Sequence, residues 1–227
     1  MESINIGEVL YESPLAAPGD LDGWVAEGQP VMSFPQRALR LENGRPAADG
    51  QAANYLLWCP QVFPADIAVS WTFRPIAEPG LAMFWFCAAG RNGEDLFDPR
   101  LARRSGEYRQ YHHGDINAYH ASYFRRKNPD ERRFHTCNLR KSFGFHLVCQ
   151  GADPIPSVAD VAESYRIQVV KAGSRIRFSI NDLLIYDWTD DGQTHGPVLG
   201  GGRIGFRQMA PLIAEYRDLK VCRVSAV

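Results

Sequence analysis

Three alternating runs joined by two tight turns, between residues 165 and 188, constrain this chain more than any other feature. Tyr165 to Lys171 reads as a strand, and Ala172-Gly173 turns the chain. In the next run Ile176, Phe178 and Ile180 alternate with Arg175, Arg177 and Ser179. Asn181-Asp182 then turns again, and Leu183 to Trp188 returns. Strand side chains point to opposite faces in succession, so a period of two describes a half-buried antiparallel meander and excludes a helix. Gly, Asn and Asp supply the backbone conformations that two-residue hairpins require.

The same grammar recurs. Ile67, Val69, Trp71 and Phe73 alternate with Ala68, Ser70 and Thr72, and Leu39 and Leu41 alternate with Arg40 and Glu42 ahead of Asn43-Gly44. The run LAMFWFCAA, residues 81–89, is apolar throughout and lies between Gly80 and Gly90, which predicts a strand covered on both faces. Arg203 to Arg207 and Tyr216 to Val224 read as two more strands. The one short helix candidate is Ser157 to Ser164. Strands at this spacing predict a single all-β domain over residues 1–227, a sandwich of two antiparallel sheets.

The 25 basic residues nearly balance the 26 acidic ones, so no nucleic-acid or anionic-membrane partner is expected. No apolar stretch approaches the ~20 residues of a membrane span. The opening MESINIGEVLYES lacks a signal-peptide pattern, and the five cysteines, without a CxxC pair, read as reduced thiols. A cytoplasmic location is the resulting expectation. Oligomeric state is left open.

The order of features resembles the concanavalin A-like lectin/glucanase superfamily. Gly23-Trp24-x-x-Glu27-Gly28 looks like the first strand of such domains, and the meander followed by GGGRIGFRQ and AEYRDLKV is similar to their closing half. The block YHHGDINAYHASYFRR, then FHTCNLRKSFGFHLVCQGADPIP, resembles a bacterial family of unassigned function, the YesU-like proteins. That resemblance implies a jelly-roll sandwich with a concave groove and an association with carbohydrate catabolism, including pectin-type sugars. It brings no catalytic residues, so the chemistry has to come from the residues themselves.

Alternation assigns faces. Over residues 116–126, Ile116, Ala118, His120, Ser122 and Phe124 are expected to face the core, which turns Asn117, Tyr119, Ala121, Tyr123 and Arg125 to the groove. Over 143–150, Phe143, Phe145, Leu147 and Cys149 are expected inside, and Gly144, His146, Val148 and Gln150 outside. Phe84 and Phe86 suit the core, turning Met83, Trp85 and Cys87 outward. The expected groove therefore holds Trp85, Asn117 and Gln150 for binding, with Tyr119, Tyr123, His146 and Arg125 for catalysis. Tyr111 and His113 belong to the long 91–114 segment, which is expected to fold over the rim with Tyr108 and His112. A flat indole gives a sugar face an apolar platform, amides and guanidinium bind hydroxyls and carboxylates, and Tyr or His moves protons. Such a set suits elimination on a uronate-containing oligosaccharide. An ordinary buried or solvated role for these residues is equally compatible with the pattern.

Other readings stand beside it. A non-catalytic lectin-like module would keep Trp85 and the polar groove without turnover. A hydrolase needs two carboxylates across the scissile bond, and only Asp95, Asp98, Glu107 and Asp115, in the preceding loop, offer them. His113-x-Asp115 with His195, and Arg203 or Arg207 downstream, resembles the facial triad of non-haem iron oxygenases. No cofactor is required by the main reading, although Asp187, Asp190 and Asp191 offer oxygen ligands for a structural calcium. Gly200-x-Gly202-x-x-Gly205 precedes a strand rather than a helix, so it is no dinucleotide site.

Overall fold

A computed structural model describes residues 4–226. In chain order the strands are β1 (Ile4–Ser13), β2 (Val25–Glu27), β3 (Pro30–Ser33), β4 (Leu39–Asn43), β5 (Tyr55–Trp58), β6 (Ile67–Ala77), β7 (Leu81–Gly90), β8 (Ile116–Tyr123), β9 (Thr136–Ser142), β10 (His146–Ala152), β11 (Tyr165–Ala172), β12 (Arg175–Ile180), β13 (Leu183–Thr189), β14 (Arg203–Met209) and β15 (Ile213–Ala226). Two short helices, α1 (Arg109–His112) and α2 (Pro129–Arg133), flank β8. One sheet runs β13-β12-β11-β6-β15-β4-β3, with β1 added on β15; the other runs β10-β9-β8-β7-β14-β5-β2. All pairings are antiparallel. This is the two-sheet sandwich that the alternation and the family resemblance predict.

The expected meander is present. Ile176, Phe178 and Ile180 are buried, and Asn181 and Asp182 both adopt positive φ at the β12–β13 turn. The inter-sheet core is built from Val69, Trp71 and Phe73 of β6 against Phe84 and Phe86 of β7 and Phe206 of β14. The Ser157–Ser164 segment holds only one short 3-10 turn, Val158–Asp160.

Three expected orientations are corrected. On β8 the parity is inverted: Tyr119, Ala121 and Tyr123 enter the inter-sheet core, while Ile116 and Ala118 join a second apolar cluster on the other face. The tyrosines win the core because their hydroxyls find partners there. Trp71 Nε1 donates to Tyr123 Oη at 3.1 Å, and Tyr119 donates to Asp190 Oδ2. On β10 an extra residue between Leu147 and Cys149 breaks the alternation; Phe143, Phe145 and Leu147 are exposed, while Val148 and Cys149 pack against the core. On β7 a bulge lies between Phe86 and Ala89, where Cys87 takes φ 53° and turns into the core instead of outward.

Candidate functional site

The outer face of the seven-stranded sheet is organised in rows set by register. One row runs Val25, Trp58, Gly205, Trp85, His120, Arg140, Leu147; the next runs Glu27, Leu56, Arg207, Met83, Ser122, Asn138, Gln150. Gly205 is required between the two tryptophans: a Cβ there would lie 2.6 Å from Trp58 Cε3 and 2.9 Å from the Leu57 carbonyl. The first row thus carries an aromatic stack, with the Trp85 and His120 rings 4.1 Å apart and 15° from parallel.

Residues 91–115 cross over this face and lay Tyr108, Tyr111, Leu96 and Phe97 on it. The Tyr108 hydroxyl lies 2.6 Å from His120 Nε2. The Tyr108 ring meets Trp85, His112 and Phe145 edge-on. Arg207, wholly buried, places its guanidinium about 5 Å from the Tyr108 and Tyr111 rings and donates through Nη1 to the Gly106 carbonyl at 2.7 Å. Its Nε and Nη2 have no hydrogen-bond partner among the described residues. Arg140 lies over the Phe145 ring at 3.8 Å.

The electrostatics follow from burial and a surplus of guanidinium. Desolvation pushes the Tyr108 phenol up to about 12, against the pull of Arg140, Arg207 and Arg125. Burial, then Arg140 and Arg207, hold His120 well below the usual imidazole range. His112 falls to about 4 through burial and its His113 neighbour. At neutral pH the centre therefore presents a neutral phenol and neutral imidazoles ringed by cations. Its two carboxylates are already paired: Glu27 with Arg104, and Glu131 with Arg125 at 2.8 Å.

The structure distributes the expected residues widely. Trp85 faces outward but is wholly buried beneath Tyr108 and Tyr111 rather than open as a platform, and Gln150 is exposed at the edge, donating to Asn138 Oδ1 at 2.7 Å. Tyr111 is buried in the covering segment, where its hydroxyl accepts from the Gly106 N–H. Arg125 is half-buried and held by Thr136 and Glu131. Tyr119 and Tyr123, fully buried between the sheets, are out of reach of the groove. His146 stacks on His195 at 4.2 Å, on the side of Lys141 rather than of Arg140. Asn117 accepts from the Phe143 N–H, and His113 is exposed beside Phe143.

Neither metal pattern assembles. Among the described residues no group of three or more His, Cys, Asp or Glu side chains converges in a metal-holding geometry. His195 is stacked on His146, while Asp115 caps the Ala102 N–H. Of the three aspartates near the β13 end, Asp187 pairs with Arg175 and Arg177, Asp190 with Lys141, and Asp191 caps Gln193 and Thr194. They form no shared calcium cage.

Residues 8–221 match the model of a domain of unknown function, DUF1961. The chain belongs to that family. Uncharacterized protein YesU of Bacillus subtilis (strain 168) is 52% identical over 215 residues, covering 95% of this chain and 96% of YesU. A Bacillus subtilis protein of unknown function with a galectin-like fold superposes with TM-score 0.94 at 50% identity, covering 98% of this chain and 99% of the other. More distant are carbohydrate-binding module CBM66 of Bacillus subtilis, with TM-score 0.53, 13% identity and coverage of 87% and 93%, and the Emp46p carbohydrate recognition domain in its potassium-bound form, with 0.60, 12%, 96% and 98%. At these identities the last two establish a shared fold alone.

Sequence reasoning missed His120 and Arg140 and gave Arg207 the wrong setting. Alternation points His120 into the inter-sheet core, whereas it lies on the outer floor with Nδ1 unpartnered among the described residues. The available signal was the covering segment itself. A long segment carrying a few well-placed apolar and aromatic side chains can bury the outer face of a sheet, and both parities of the strand below then look like core.

Proposed function

We propose that this chain recognises an acidic oligosaccharide across the outer face of its seven-stranded sheet, centred on Tyr108. The observation that carries this is Arg207: a fully buried guanidinium with Nε and Nη2 unpartnered, beside a neutral phenol and within the field of further arginines. A buried unpaired cation is costly, and a carboxylate is the group whose geometry matches two guanidinium N–H bonds. The exposed edge amide of Gln150 and the rings of Tyr108 and Phe145 suit sugar hydroxyls and the apolar face of a pyranose. The carbohydrate-binding neighbours of the same fold support the ligand class by analogy.

A second reading adds turnover, and the Tyr108 cluster favours it. In elimination a base takes the proton α to the uronate carboxylate, the C4–O bond breaks as the C4–C5 double bond forms, and the leaving oxygen takes a proton. Tyr108, protonated at neutral pH, supplies the proton to the leaving oxygen. His112, unprotonated and with its ring 4.8 Å from that of Tyr108, accepts the other. Guanidinium neutralises the carboxylate and makes the α-proton acidic.

One calorimetric titration decides the first reading: oligouronides against neutral oligosaccharides of the same linkage. Selective binding of the uronides supports it, and equal or absent binding defeats it. Ultraviolet absorbance of an unsaturated product in the same samples separates lyase from binding module.

A further inference from the structure

On the floor beneath residues 91–115 lies a concentration of buried polar groups that find no hydrogen-bond partner among the described residues. Trp58 Nε1, Trp85 Nε1, His120 Nδ1 and Arg207 Nε and Nη2 have no hydrogen-bond partner. All four residues belong to the two floor rows, and all are wholly buried. Burying an unsatisfied polar group costs about 1–3 kcal/mol, so folded chains avoid placing several together. Such a concentration signals a surface built for an oxygen-rich ligand.

The segment covering these donors is fastened by polar contacts. Arg104 pairs with Glu27 of β2 at 2.7 Å, and Arg207 donates to the Gly106 carbonyl. Tyr108 meets His120, and the Tyr108 N–H donates to Gln51 Oε1. Its apolar side chains join a cluster separate from the inter-sheet core. Clefts of about 320 and 500 Å³ open on the two sides of the Glu27–Arg104 pair, so the seam is loosely filled where the segment meets β2. Gly93, at φ 89° with open space around it, and Gly114 stand near the two ends.

We propose that residues 91–115 form a roof that lifts, and that the indole, imidazole and guanidinium donors beneath it bind the oxygens of the sugar. Arg207 takes the carboxylate, and Trp58, Trp85 and His120 take hydroxyl or ring oxygens. This rests on the acidic-oligosaccharide reading for its ligand, while the movement of the roof stands independently.

Indole N–H exchange with solvent, followed by NMR on the full chain, tests both parts. Trp71 is the internal reference, because its Nε1 donates to Tyr123 inside the inter-sheet core, away from residues 91–115. In the free protein the Trp58 and Trp85 indole protons are expected to exchange at least about tenfold faster than that of Trp71, and Arg104→Ala to accelerate those two by a larger factor than Trp71. Equal rates for all three would overturn the roof. An oligogalacturonide is then expected to slow Trp58 and Trp85 exchange, and Trp85→Phe to weaken its binding roughly tenfold, the effect of one lost hydrogen bond of about 1.4 kcal/mol. Uronide binding with both indoles unaffected and no loss in Trp85→Phe would defeat the buried subsite and leave the acidic-sugar reading standing. No uronide binding at all would remove the ligand from both, with the exchange rates of the free protein still deciding whether the roof opens.

Discussion

The Tyr108 hydroxyl and His120 Nε2 lie 2.6 Å apart, joining the covering segment to the floor of the sheet. This contact makes one side chain from a loop and one from β8 a single unit. Burial keeps both groups neutral at pH 7.

Tyr108→Phe keeps the ring in its aromatic surroundings and removes the hydroxyl. The His120 Nε2 is left unsatisfied, with an expected stability loss of about 1–3 kcal/mol. Oligouronide affinity is expected to fall at least about tenfold, and any unsaturated product to disappear. Calorimetry and ultraviolet absorbance on one preparation check all three, and unchanged affinity would remove Tyr108 from the centre.

Tyr119→Phe and Tyr123→Phe are expected to act on stability alone. Tyr119 donates to Asp190 and accepts from the Leu199 N–H, so losing its hydroxyl strands that N–H and takes one donor from a carboxylate still held by Lys141. A melting-temperature drop with unchanged uronide binding is the expected outcome. Loss of binding with an unchanged melting temperature would contradict the inverted parity of β8.

Lys141 and Asp190 form a buried pair at 2.6 Å, and Lys141 Nζ also donates to the Gly196 carbonyl. Removing one partner of such a pair costs about 3–5 kcal/mol. Lys141→Met is therefore expected to destabilise strongly, and Lys141→Met with Asp190→Asn to recover part of the loss. Burial by itself would raise the Asp190 carboxyl, but hydrogen bonds from Lys141, Tyr119 and the Gly192 N–H outweigh it and hold it below the usual range. Stability from this group is present above the unfolded carboxylate pKa and is lost as the pH falls through the lower folded value. Denaturant midpoints measured downward from pH 5 check the sign.

His112 and His120 give a second acid dependence at higher pH. Both are depressed in the folded chain, His112 to about 4, whereas an unfolded histidine titrates near 6.5. Between these values the unfolded chain binds protons that the folded chain refuses, so stability falls as the pH drops from about 6.5 toward 4. A melting curve series should be level above neutrality and slope within that window. His112→Gln is expected to flatten part of the slope; an unchanged slope would place the acid sensitivity elsewhere.

Gly205→Ala tests the packing of the floor. The added Cβ would meet Trp58, Leu56 and the Leu57 carbonyl within 3 Å. Overpacking of this kind costs about 1–3 kcal/mol, and displaced tryptophans are expected to lower uronide affinity as well. A variant of parental stability would show that the Trp58–Trp85 spacing is slack.

The fold was legible wherever one face of a strand met the core and the other met water. Ile176, Phe178 and Ile180, or Val69, Trp71 and Phe73, announce their burial by alternation, and Asn181-Asp182 announces its turn. The alternation stops deciding at β8, because the 91–115 segment covers the outer face and gives Ile116 and Ala118 an apolar environment of their own. Both parities of that strand are then buried, and only the partners available to Tyr119 and Tyr123 inside the sandwich decide which faces in. Single extra residues in β7 and β10 reverse the faces of Cys87, Phe143 and Phe145 with no mark in the hydropathy. An antiparallel sandwich follows from the chain's local pattern, because alternation and turn residues act between near neighbours. Tertiary structure alone decided that Tyr108, His120 and Arg207 meet on the outer face of one sheet, since they come from a loop and from strands β8 and β14, and no local pattern encodes the register that brings them together.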